Sequence, residues 1–188
     1  MAGNTISSSR SGDNNNEDNG LWSIGECSLD LLDDPIDFII AEHHRHREVA
    51  RILLMIASGE LNDRGINAVI EFLGGDFVQH TKDEEVILFP ALRKYCLKED
   101  KIDTILARLE QEHLDDGDDA ANTIAVLKSF LASRSLNPDG KRCLVSFAEH
   151  IQQHLALENG VLLPIARARL EPHILDALAV VLREHYQQ

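Results

Sequence analysis

Two segments constrain this 188-residue chain more than any other feature: Gln79-His80-Thr81-Lys82-Asp83-Glu84-Glu85 and Gln153-His154-Leu155-Ala156-Leu157-Glu158. In each, a histidine is followed four residues later by a glutamate, just over one helical turn, so the two side chains share a helix face with Cβ atoms about 5–6 Å apart. Ile70, Leu73, Phe77, Ile87 and Ala91 recur at the same three-to-four spacing around the first pair. Leu144, Phe147, Ile151, Val161 and Ile165 do so around the second. Both pairs therefore lie inside apolar stripes that must face a core. A bare carboxylate there is strongly disfavoured unless a partner of opposite charge offsets the lost hydration. A metal ion is such a partner.

The remaining pattern predicts an all-α, up-down-up-down four-helix bundle over residues 34–170. The first helix starts at Asp34-Pro35, an N-cap followed by a proline tolerated at the first helical position, and ends before Gly59. Its stripe of Ile36, Ile40, Ala50, Leu54 and Ala57 includes His43. A second helix spans about Gly65 to Cys96, weakened at Gly74-Gly75 and bent at Pro90. The third carries Ile102, Leu106, Leu109, Ala120, Ile124, Leu127 and Leu131, with His113 on the stripe and Gly117 one turn later, where an open pocket is expected. After the turn cluster Asn137-Pro138-Asp139-Gly140, the fourth runs from about Lys141 to Leu170, with Gly160 and Pro164 as interruptions. Residues 171–188 form a terminal amphipathic helix docked on the bundle through Ile174, Leu178, Val181 and Leu182. Residues 1–33 form a flexible acidic arm, too polar at its start to order itself, with Trp22, Ile24, Leu29 and Leu31 available to pack across the bundle.

In such a bundle, residues meet when they lie at equal heights from a shared loop. Glu84 is about as far from the end of the second helix as His113 is from the start of the third. His43 and His80 are matched likewise about the first loop, and His154 falls within a turn of His113. The candidate ligands are therefore His43, His80, Glu84, His113, His154 and Glu158. A single structural zinc takes four tetrahedral ligands, so this mixed set suits two adjacent first-row ions bridged by the glutamates, with a solvent-derived oxo or hydroxo bridge completing them. Nitrogen with carboxylate oxygen favours two iron ions, with manganese or zinc as substitutes. Ferritin-like bundles, the nearest rival, use Glu-xx-His spacing rather than His-xxx-Glu. His46, His150 and Glu85 are alternative candidates for lining or ligating the site, each read first as an ordinary core or surface polar residue; His44 belongs to a solvated face.

The order His, His-xxx-Glu, His, His-xxx-Glu over four helices resembles the hemerythrin-like (HHE cation-binding) domain family. The resemblance covers about residues 34–170. It is carried by Asp37-Phe38-Ile39-Ile40-Ala41-Glu42-His43, His80 through Glu85 leading to Leu88-Phe89-Pro90, Leu109 through His113, and His154 through Asn159. It implies a non-haem di-iron centre held by the six residues, with both glutamates as bridges, and binding or turnover of O₂, NO or peroxide. Oxygen-carrying hemerythrins place a second histidine one turn after the first on the third helix, where this chain has Gly117. The pattern is thus closer to four-histidine bacterial members and to the iron-centre repair and iron-sensing branches, although the Cys-bearing N-terminal extension of the repair branch is lacking. Three functions follow: a binding or sensing protein, a di-iron enzyme of peroxidase, catalase-like or oxidase type, and an iron store. Binding or sensing is favoured, because no nucleophile or general base stands apart from the ligands.

Composition excludes other classes. Formal net charge is −14, and residues 1–34 contribute seven acids against Arg10. Such a surface repels phosphate backbones and argues against nucleic acid as a partner. No apolar run approaches the roughly 20 residues of a bilayer span and no signal pattern opens the chain, which points to the cytoplasm. Cys27, Cys96 and Cys143 are odd in number and widely spaced, as structural thiols are. A monomer or weak dimer with a diatomic or peroxide partner is expected.

Overall fold

A computed structural model describes residues 20–186, and no β-strand occurs among them. The part of the expected arm that falls on residues 1–19 lies outside the described residues. Helix α1 spans Pro35–Ser58, with Asp34 accepting hydrogen bonds from the backbone of Ile36 and Asp37. It stops at Gly59, whose φ of 104° is left-handed and natural only for glycine.

The second bundle helix is not continuous from Gly65 to Cys96 as the spacing predicts. It divides into α2 (Asp63–Gly74), α3 (Asp76–Asp83) and α4 (Phe89–Tyr95), with a break at Gly75 and a π-helical turn at Glu84–Leu88. The third helix, α5, runs unbroken over Ile102–Ser133. The fourth is α6 (Pro138–Leu157), a second π-helical turn at Glu158–Leu162, and α7 (Leu163–Arg169). Helix α8 covers Pro172–Tyr186.

Each π turn begins at the glutamate of a His-xxx-Glu pair and is followed by a proline, Pro90 or Pro164, six residues beyond that glutamate. A proline ring clashes with the carbonyl four residues back and offers no N–H. The wider turn resolves this: Phe89 N–H donates to Glu84 O, and Leu163 N–H to Glu158 O, each five residues back. Two prolines thus set matching bulges where the carboxylates project inward.

The bundle interior is divided into two apolar layers. One holds Val49, Leu53, Ile56, Val69, Leu73, Leu127 and Phe147; the other holds Ile36, Ile39, Leu88, Leu92, Leu106, Leu109 and Leu162. Each bundle helix contributes at least one histidine to a buried polar cluster, and the second and fourth add a glutamate each. Trp22 packs on the first layer, and a Cβ built on Gly65 would stand 2.5 Å from its indole ring, so only glycine fits there. A third patch joins Leu182 of α8 to Leu32, Phe38 and Ile87.

Candidate metal centre

The six predicted residues converge between the two apolar layers. Helix α1 supplies His43, α3 and its π turn His80 and Glu84, α5 His113, and α6 and its π turn His154 and Glu158. All six are buried, His43, Glu84 and Glu158 completely. Their ligand atoms form two groups, each within 4.8 Å: His43, His80, Glu84 and Glu158 in one, Glu84, His113, His154 and Glu158 in the other. The two glutamates are common to both.

Each carboxylate divides its oxygens between the groups. Glu84 Oε1 lies 3.8 Å from His43 Nε2 and 3.7 Å from His80 Nε2, while its Oε2 lies 3.4 Å from His113 Nε2. Glu158 Oε2 is 3.3 Å from His43 Nε2, and its Oε1 is 3.0 Å from His154 Nε2. Yet Nε2 of His43, His80 and His113 and all four glutamate oxygens are buried with no hydrogen-bond partner in the protein. Buried polar groups are almost always satisfied. A cluster of lone pairs facing one another is what cations would satisfy, and nitrogen and carboxylate donors fit iron.

Electrostatics agree with this need. Burial drives His80 down to about 3, so its ring stays neutral beside the other imidazoles. Burial also opposes charge on His154, but the Glu158 carboxylate outweighs it and lifts that ring to about 10. His43 and His113 are raised as well, their burial outweighed by Glu84. The two carboxyls are pushed apart: burial and the neighbouring Glu84 charge raise Glu158, whereas around Glu84 the imidazoles of His80, His113 and His43 overcome burial and hold it well below the usual range.

A family model, the hemerythrin HHE cation binding domain, matches residues 34–166. The chain belongs to that family. A "probable iron-sulfur cluster repair protein" of Haemophilus influenzae is 29% identical to this hemerythrin-like chain over 149 residues, covering 69% of this chain and 62% of the relative. The match thus leaves out more than a third of that relative's length. No solved structure matches the chain.

Within the hemerythrin-like bundle, three neighbours hold the imidazoles from outside. Glu85 Oε1 accepts from His113 Nδ1 at 2.9 Å, and Glu112 Oε2 from His154 Nδ1 at 2.9 Å. The Asn159 side-chain amide lies 2.9 Å from His43 Nδ1. Carboxylates on Nδ1 leave Nε2 free to face the centre, an arrangement common around metal-bound histidine. Glu85, a candidate ligand by sequence, instead bonds the ring nitrogen turned away from the centre and belongs to neither ligand group. His150 is also displaced, its Nδ1 lying 3.2 Å from Asp116 and 3.8 Å from Asp119. Ligand spacing did not single out Glu112 or Asn159, because each is adjacent in sequence to a ligand rather than one turn away. His44 is exposed, 3.5 Å from Arg47. Behind the centre, Asp83 accepts from Gln79 and lies 2.8 Å from His185 of α8, which ties the terminal helix to the residue before Glu84.

A groove of about 370 Å³ between α2–α3 and α5 leads inward, lined by Leu73, Phe77, Thr81, His113, Gly117 and Ile124. A Cβ added at Gly117 would meet nothing within 4 Å. The expected opening beside the centre is present.

Among the described residues no helix is long and apolar enough to cross a membrane, and all three cysteines are free.

Proposed function

We propose that this protein is a non-haem di-iron protein that binds or senses O₂, NO or peroxide at a metal pair bridged by Glu84 and Glu158. The observation that carries this reading is the sharing of both carboxylates by two histidine pairs, with their oxygens otherwise unpartnered. His43 and His80 would hold one ion, His113 and His154 the other. When bound, the pair supplies reversible redox change and open coordination for a small ligand. The protein itself excludes bulk water with two apolar layers and orients the rings through Glu85, Glu112 and Asn159. The name of the Haemophilus influenzae relative supports a second reading, repair of iron-sulfur clusters, in which the same residues would hold iron for transfer.

Anaerobic iron loading followed by metal analysis and visible spectroscopy tests the first reading. Two irons per chain are expected, one for each ligand group, with a spectrum that changes on adding O₂, NO or peroxide. One tightly held zinc, or a spectrum indifferent to all three, would contradict it.

The groove gives a further expectation. Gly117→Phe should leave iron content intact, since the position points into open space, but slow the spectral response in rapid mixing by about tenfold, or roughly 1.4 kcal/mol in barrier. An unchanged rate would show that small molecules reach the centre by another path.

A further inference from the structure

Helix α5 carries four aspartates in five positions, Asp115, Asp116, Asp118 and Asp119, and among the described residues only histidines come within ion-pair distance of them. Asp115 and Asp118 are exposed and Asp119 is partly so. Asp116 is different, being 3% exposed, and its Oδ1 has no hydrogen-bond partner in the protein. A buried carboxylate oxygen left in that state is costly unless a cation visits it.

That oxygen faces the acidic surface. His150 Nδ1 of α6 lies 3.2 Å from Asp116 Oδ1 without a hydrogen bond between them, and 3.8 Å from Asp119 Oδ2. His150 is itself partly open to solvent. Neighbouring donors on one first-row ion, bound at about 2.1 Å, stand roughly 3–3.5 Å apart, so a cation fits between His150 and Asp116. The other oxygen of Asp116 looks inward, 4.0 Å from His154 Nδ1. Asp116 also lines the small chamber bounded by His80, His113 and His154, with His46, which belongs to neither ligand group, on its wall. One buried carboxylate thus stands between an acidic surface and the metal centre.

We propose that Asp119, His150 and Asp116 form a loading route that draws a divalent cation, ferrous iron, from solvent and hands it to the centre. This rests on the functional reading above and deepens it. Among the described residues only the two groups of the centre bring their donors within 4.8 Å of one another. The three residues of the route are spaced to pass an ion on rather than keep it. The groove beside Gly117 is a poor path for a charged ion, because its lining is mainly apolar and its one formal charge is the cation Lys82. Cations and neutral diatomic molecules then reach the centre from different sides.

The test times filling of the metal-free protein. It is mixed without oxygen with ferrous iron, free metal is trapped with a chelator at set intervals, and retained iron is counted. Asp116→Asn and Asp119→Asn should each fill about tenfold more slowly at low salt, the scale on which local charge alters association rates, yet reach the iron content of wild type. Asp119→Glu, which keeps the charge, should fill at the wild-type rate, and so should Gly117→Phe. Added salt should slow wild type and shrink its lead over Asp119→Asn, because the surface charge is screened. Equal rates in wild type and both asparagine variants overturn the route, as does slowing by Gly117→Phe alone. A lower final iron content in Asp116→Asn also overturns it, since Asp116 would then belong to the centre itself. If wild type retains no iron, the functional reading falls and the route with it. If wild type fills and the variants fill as fast, only the route falls.

Discussion

Glu158→Gln should abolish iron uptake and yet change the stability of the metal-free protein far less than that of the loaded one. In the loaded protein Glu158 is shared by both histidine pairs, so removing its charge weakens the grip on both ions. At free metal about 100-fold above its Kd, one bound ion adds about 2.7 kcal/mol to stability. For a chain of this size that is roughly 5–10 °C in Tm, and the variant should lose this increment on loading. In the metal-free protein two effects oppose each other. Burial, then the adjacent charge of Glu84, raises the Glu158 carboxyl, so above its ordinary value of 4.5 the fold disfavours its ionised form. A neutral amide of the same shape removes that cost but also removes the carboxylate that keeps His154 protonated, so the two effects offset one another.

Urea unfolding of both proteins, with and without iron, checks the prediction. Equal destabilisation in both states would make Glu158 a structural residue rather than a metal bridge. His44→Ala, whose side chain is exposed, is the control and should change neither state.

How much of this was visible in the sequence depended on whether the signal was local. The His-xxx-Glu pairs and their apolar stripes are periodic, and periodicity follows directly from helix geometry. His43 and His113 were legible by combining that stripe with loop-matched heights. The π turns at Glu84 and Glu158 were not, because Pro90 and Pro164 signal a disturbed helix without saying whether it kinks, ends or widens. Splitting of the second helix at Gly75 was legible only as a weakness, since tertiary packing decides whether a glycine pair is tolerated. Glu112 and Asn159 escaped ligand spacing because they act across helix boundaries, Glu112 on α5 reaching His154 on α6 and Asn159 in the second π turn reaching His43 on α1. The same holds for Asp116, hidden in sequence within a run of acids on an otherwise solvated stretch.

Iron affinity should fall steeply as pH falls, while the metal-free fold changes in the opposite sense. His154 stands at about 10 in the metal-free fold because the Glu158 carboxylate outweighs its burial, so at pH 7 its ring carries a proton. His43 and His113 are raised also. A metal needs the Nε2 lone pair and must expel that proton, so each proton released makes affinity change about tenfold per pH unit. The sign for the metal-free fold follows from linkage. A histidine raised from 6.5 to about 10 stabilises the fold fully below pH 6.5, and this contribution is lost as pH rises toward 10. Between pH 6.5 and 10 the metal-free protein should therefore weaken while metal binding strengthens, and the gap in Tm between loaded and metal-free protein should widen. Calorimetric metal titration in buffers of different ionisation heat counts the released protons, and thermal unfolding across the same range measures the gap. A gap that stays constant or narrows would mean that His43, His113 and His154 do not surrender their protons to the metal.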